Sequence, residues 1–322
     1  MTKLRVLFNV LSVLNPRIIF PKVKYLGINS ISFFGTLGYK KLPNHFELAS
    51  KEFTDININV IHKPSFLNVP KWQEHLNKVG PRTISDLAEL GINNYIWMIE
   101  CNLFGQAFNP LMGKYVNANK LTEHFKLFYQ VAHDNNPNAN VIIVIYPHRL
   151  INLDCGLRGW KDWWVKKGEK LKFDTVAVDA HIGTWIPAPT KHIVYSHLKN
   201  TIDFLQKRGY PPLYIEVGYP TVGHKPLLGW FGWGREKDQL NMLKVCYAAI
   251  KNMKVPFMQI CEFIDPNPKG QIYETFFGEE GKLPKFLAFS VLEEAHWGLL
   301  RRDGSEKLAC DWIRKITKMN NG

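Results

Sequence analysis

The feature that most constrains this chain is the run VIIVI at residues 141–145, five apolar and mostly β-branched side chains with no polar residue among them. A strand with one wet face alternates apolar and polar positions, so an uninterrupted apolar run is expected to be buried on both faces. Similar short runs recur in NNYIWMIECN, FDTVAVDAH, PPLYIEVGYP and VPFMQICEFID, giving five strands from Tyr95 onward. Between them lie longer segments of helical spacing: NKLTEHFKLFYQVAHDNNP, HIVYSHLKNTIDFLQKRGY and KDQLNMLKVCYAAIKNM. Upstream, LPNHFELASKEF, WQEHLNKV and RTISDLAEL read as helices, and residues 4–10, 24–30 and 57–62 as strands.

Buried strands alternating with helices predict a parallel sheet covered on both sides, and eight such strands close a barrel. The expectation is therefore an α/β fold, a (β/α)8 TIM barrel, in a single domain over residues 1–322. The strand patterns are weakest in the first 90 residues or so. An open doubly wound sheet is the rival, but no GxGxxG or P-loop pattern opens a helix. No linker, low-complexity tract or internal repeat divides the chain.

Composition narrows the function classes. Lys and Arg number 41 against 28 Asp and Glu, a net charge of +13, which favours anionic partners. The basic residues are scattered, and no zinc-finger spacing or RNP-type strand is present, so no nucleic-acid partner is expected. The five cysteines, Cys101, Cys155, Cys246, Cys261 and Cys310, form neither a disulfide framework nor metal-ligand pairs. They point to a reducing, cytoplasmic setting, and the short apolar stretch after Met1, broken by Asn9, is not expected to be a cleaved leader. No segment approaches the roughly 20 apolar residues of a spanning helix, so no integral membrane segment is expected.

In a parallel barrel, chemistry gathers at the carboxyl ends of the strands. The polar residues expected there are Glu100, His148, Asp179, His181, Glu216, Glu262 and Asp265. A carboxylate closing an apolar strand is costly to bury unless paired or used. Two carboxylates across one pocket are the minimum for glycoside cleavage, one protonating the leaving oxygen and the other attacking carbon or activating water. By the strand count Glu100 ends the fourth strand and Glu216 the seventh, positions that face each other across a barrel mouth. Glu262, on the eighth, competes with Glu100.

These segments resemble a known group. YIEVGYPT is similar to the nucleophile strand of the large clan of retaining barrel glycosidases, whose acid/base follows strand four and whose nucleophile follows strand seven. FDTVAVDAHIGTW resembles their sixth strand, with Asp leading it and His or Tyr ending it against the sugar. NNPNANVIIVIYP resembles their fifth, and HWGLLRRDGSEKLACDWI their closing hairpin and last helix, with Gly298, Leu299, Asp303, Gly304 and Lys307 in matching places. The match covers roughly residues 94–314. The resemblance implies a retaining β-glycosidase with Glu216 as nucleophile and Glu100 as acid/base. One departure is that the family places Asn before its acid/base, to hold the sugar 2-hydroxyl, where this chain has Ile99. Asn102 or His148 would then supply that contact, or Glu100 is not the acid, or the barrel binds carbohydrate without cleaving it.

Other candidates for substrate contact are His181, Tyr219 (three residues past Glu216, equally readable as a packed loop tyrosine), and Trp185, Trp230 and Trp233 in Gly-rich loops, whose faces suit sugar rings. The expected partner is an oligosaccharide or other glycoside, anionic or lipid-linked given the basic surface. No cofactor is expected, and no metal, because no two histidines stand at ligand spacing. No GxSxG motif is present. A barrel aldolase or isomerase would want a strand-end lysine, and the nearest candidate, Lys269, falls in a predicted loop.

Overall fold

The computed structural model describes residues 1–9, 15–35, 44–60, 69–97, 101–104, 118–147, 159–184, 186–223, 231–265 and 296–321. Its eight strands are β1 (Lys3–Asn9), β2 (Ser30–Gly35), β3 (Asp55–Val60), β4 (Asn94–Ile96), β5 (Asn140–Ile145), β6 (Thr175–Asp179), β7 (Pro212–Val217) and β8 (Phe257–Ile260). Their order is that of a closed barrel, β1 through β8 in sequence, with β8 returning to β1. The recorded pairings are all parallel. This is the (β/α)8 fold that the apolar runs predict.

Residues group into two compact units, one of Met1–Phe33, Glu52–Asp55 and Ala180–Gly322, the other of Phe34–Lys51 and Ile56–Asp179. In the second unit, β5 lies between β4 and β6, with Tyr95 beside Val141 and Ile143 beside Val176. Residues 141–145 are fully buried, as a strand covered on both faces must be. Helices α3 (Val69–Glu89) and α5 (Ala118–Asn135) pack closely at Gly80, where a Cβ would come 2.9 Å from Leu76 and 3.0 Å from Val131. Trp97 stacks on Phe128 with ring centroids 4.5 Å apart. Asp174, just before β6, accepts from the backbone N–H of Val141 at 2.7 Å and the Tyr129 hydroxyl at 3.1 Å. The leading aspartate thus ties the start of one strand to the next strand and to α5.

In the first unit, Phe8, Phe20, Phe33 and Phe263 form an aromatic cluster, Phe8 lying 5.7 Å from Phe33 and 5.3 Å from Phe263 between centroids. Each such buried ring stabilises the fold by about 1.5–3 kcal/mol relative to exposure. Two expectations need correction here. Residues 24–30 are not the second strand. Asn15 caps a helix, α1 (Pro16–Tyr25), through its side chain and the N–H of Arg17, Pro16 takes the first-turn position, and Ile19, Phe20 and Val23 face inward. The strand begins only at Ser30. Likewise WQEHLNKV and RTISDLAEL belong to one helix, α3, which runs through Pro81. The other helices are α2 (Asn44–Glu52), α4 (Cys101–Phe104), α6 (Gly159–Lys166), α7 (Lys191–Lys207), α8 (Glu236–Asn252) and α9 (Ala309–Asn321). No helix among the described residues is long and apolar enough to cross a membrane.

Candidate functional site

Glu216 is the fifth residue of β7, after a strand start whose apolar side chains are buried at Tyr214 and Ile215. Its neighbour across the ladder is Gln259 of β8, whose own neighbour on the far side is Arg5 of β1. These three polar residues stand side by side across β7, β8 and β1. Arg5 is wholly buried and is neutralised by Asp55 at 2.6 Å, held by Ser30 at 3.0 Å, and stacked over Phe257 with its guanidinium carbon 4.1 Å from the ring centre. Burial nonetheless pulls the Arg5 guanidinium below its ordinary value.

Glu216 is only 4% exposed, and a buried carboxylate needs compensation. Gln259 supplies it, its side-chain N–H donating to Glu216 Oε2 at 2.6 Å. The orientation of that amide is fixed from behind, because the Ser32 hydroxyl donates to Gln259 Oε1 at 2.6 Å. The amide nitrogen thus faces Glu216 and the amide oxygen faces Ser32. A buried hydrogen bond of this kind contributes about 0.5–1.5 kcal/mol. The other oxygen, Oε1, lies 3.7 Å from Nε2 of His181. The His181 ring rests on Trp297, centroids 4.4 Å apart.

This arrangement depends on Gly218, where the chain leaves β7. A Cβ there would stand 2.7 Å from the carbonyl oxygen of Cys261 and 2.9 Å from Cε1 of His181. The absence of a side chain at Gly218 lets the histidine and the end of β8 approach Glu216. Cys261 completes the group: one donor atom each from His181, Glu216 and Cys261 lie within 4.8 Å of one another, all three residues buried. No two histidines are involved, so spacing in the sequence gave no sign of such a set.

The remaining candidates separate. Tyr219 is buried, its hydroxyl donating to the carbonyl of Phe231 and accepting from the N–H of Gly234 at 3.1 Å, which pins the loop after β7. Asn102 is buried in α4 and grips the backbone of Tyr146 twice, donating to its carbonyl and accepting from its N–H, each at 2.7 Å. Both polar groups of Asn102 are therefore committed to joining α4 to the end of β5. Trp233 is 56% exposed on the turn before α8, between Gly232 and Gly234, both at positive φ. Glu262 is half-buried just past β8, and Asp179 is buried at the end of β6. Glu100, Ile99, His148, Trp185, Trp230 and Lys269 lie outside the described residues.

Behind the strand ends, Lys307 forms a buried ion pair with Asp265 at 2.7 Å and also donates to Thr221 Oγ1 at 2.8 Å and the carbonyl of His296 at 3.1 Å. Asp265 accepts in addition from the N–H of Gly298 at 2.8 Å. Burial pushes the Asp265 carboxyl up and the Lys307 ammonium down, each opposed by the charge of the other. The tail motif is thus a brace that ties the final segment to the loops after β7 and β8.

No protein-family model and no curated protein matches the chain. Solved structures do match. A β-glucuronidase from Bifidobacterium dentium, complexed with coumarin-3-O-glucuronide, superposes over 98% of this chain and 47% of its own, with TM-score 0.66 at 16% identity. The fold is shared. The β-glucuronidase of Faecalibacterium prausnitzii gives TM-score 0.62 at 14% identity, covering 99% of this chain and 48% of its own. That of Lactobacillus rhamnosus gives 0.62 at 15%, covering 98% and 50%. This chain therefore spans about half the length of the structures it matches. Gln259, Ser32 and Cys261 were missed in the sequence because small or neutral polar residues within or just past apolar strands read as core. The one available signal was that Gln259 interrupts MQI near a strand end.

Proposed function

We propose that the chain is a glycoside hydrolase that cleaves β-glycosidic bonds by a retaining, two-carboxylate mechanism. The observation that carries this reading is Glu216, buried at the carboxyl end of β7 with one oxygen anchored by Gln259 and the other toward His181. A carboxylate held in one orientation suits attack on an anomeric carbon, because positioning lowers the barrier before any bond forms. In the first step Glu216 bonds to the anomeric carbon while Glu100 gives its proton to the departing glycosidic oxygen. In the second, Glu100 takes a proton from water, whose oxygen displaces Glu216 and restores the starting acid and base. The proposed roles of His181, Trp185, Trp230 and Trp233 are contacts to the sugar, with His148 serving the 2-hydroxyl in place of the residue that Ile99 replaces.

The substrate class is proposed to be an anionic glycoside. Support comes from the +13 charge and from solved neighbours that are named as β-glucuronidases. A lipid-linked anionic sugar is the variant of this reading that would place the enzyme at a membrane surface. A reducing, cytoplasmic setting is proposed as well, on the five widely spaced cysteines of the sequence, which show no disulfide framework.

The test is hydrolysis of aryl β-glycosides, aryl β-glucuronide among them, by the wild type, Glu216→Ala and Glu100→Ala. Turnover in the wild type and its collapse in both variants is expected. Full activity in either variant refutes that residue's role. Ile99 favours a second reading, a barrel that binds carbohydrate without turnover. Calorimetric binding of a glycoside with no product formed by the wild type would establish that reading instead.

A further inference from the structure

We propose that His181, Glu216 and Cys261 together bind one soft divalent cation of the zinc class, and that this occupancy switches off the hydrolysis proposed above. An imidazole, a carboxylate and a thiol are the three ligand types that zinc takes from proteins, and each residue here contributes one. Tetrahedral bonds of ordinary length set neighbouring zinc ligands roughly 3.3–3.8 Å apart. For a nitrogen–oxygen pair that spacing is about 3.3 Å, and His181 Nε2 and Glu216 Oε1, at 3.7 Å, stand within a few tenths of an ångström of it. All three donors lie within 4.8 Å of one another, so side-chain movements on the order of 1 Å would bring them to ligand spacing.

The surroundings fit a ligand set as well. Ligating carboxylates are characteristically hydrogen-bonded from behind, and Gln259 does this to Oε2 while leaving Oε1 toward His181. The His181 ring is held against Trp297, which fixes the direction of its nitrogen. Gly218, with no Cβ, is what lets Cys261 and His181 come this close. A cation bonded to Glu216 would occupy the oxygen that the proposed mechanism needs for attack, so binding and turnover exclude each other. The switching half of the proposal rests on the hydrolase reading, whereas the binding half does not.

The test uses the full chain, freed of metal by chelator, and Co2+ as a spectroscopic probe, with Zn2+ as competitor. The wild type is expected to take up one equivalent of Co2+ with a cobalt–thiolate charge-transfer band, which Zn2+ abolishes. Cys261→Ser should lose the band, and Cys246→Ser should keep it. His181→Ala should keep the band with affinity lowered by at least the roughly 10–100-fold that loss of even an outer partner costs, so either site variant alone carries the test. No band in the wild type, or a band that survives Cys261→Ser, or unchanged affinity in His181→Ala, overturns the site. Turnover should fall in step with Zn2+ occupancy, and full turnover at full occupancy overturns the switch. Metal binding in a protein that turns over no glycoside would sink the hydrolase reading while the site stands. Turnover without metal binding would do the reverse.

Discussion

Replacing Gly218 with alanine adds one methyl group at the point where β7 meets the candidate site. Its backbone is outside the left-handed region, so the substitution carries no φ penalty and its effect is steric. The new carbon would lie 2.7 Å from a backbone carbonyl of Cys261 and 2.9 Å from the His181 ring, against an ordinary contact of about 3.5 Å or more. Neither neighbour is the free end of a flexible chain, since His181 is packed on Trp297 and the carbonyl belongs to the segment leaving β8. Overpacking of this kind costs about 1–3 kcal/mol. Moving His181 and the β8 end by the better part of an ångström should also cost activity, on the order of 100-fold for a displacement of about 1 Å. Gly209→Ala is the control. Its φ is +85° and, among the described residues, nothing lies within 4 Å of the added carbon, so it should lose stability through backbone strain, about 1–2 kcal/mol, and keep its activity. Urea midpoints and kcat/KM on an aryl β-glycoside, measured for both variants, separate the two effects. Equal activity losses in the two, or no loss in Gly218→Ala, would refute the argument that the bare glycine admits the site's geometry.

Two further outcomes follow from buried charge. Lys307→Met should lower the urea midpoint by an amount worth about 3–5 kcal/mol, because it leaves Asp265 buried without its cation, and adding Asp265→Leu should recover part of the loss. His45, whose imidazole burial lowers to about 4, stays neutral in the fold while the unfolded chain takes up a proton below about 6.5. Its contribution is therefore intact above that value and lost as pH falls from about 6.5 to about 4, so thermal melts of His45→Gln should show a shallower decline over that window than the wild type.

The parallel sheet was legible because its strands, VIIVI and TVAV among them, are apolar throughout, as strands buried on both faces must be, whereas closure into a barrel rested on the count of eight. The strand pattern failed at residues 24–30, where Val23 with Tyr25 and Leu26 with Ile28 imitate a strand's two-residue spacing although Asn15 and Pro16 start a helix that reaches Tyr25. Glu216 was legible because an ionisable group closing an apolar strand has few cheap explanations. What holds it was not. Gln259 is neutral, and its other partner, Ser32, is 227 residues away in the chain. Asn102 offered a polar group at a plausible place, yet both its ends are bound to the backbone of Tyr146, a commitment that only the fold determines. Tyr219 is the same kind of case, its hydroxyl fixed by Phe231 and Gly234.

In the proposed mechanism Glu216 becomes covalently glycosylated. The direct measurement is intact and peptide mass spectrometry of the protein after exposure to an activated 2-deoxy-2-fluoro β-glycoside of the sugar it turns over. A gain of one fluoroglycosyl unit is expected, carried by the peptide containing Glu216 and absent in Glu216→Ala. Turnover of the parent glycoside with no adduct, or an adduct on any other residue, would contradict the mechanism.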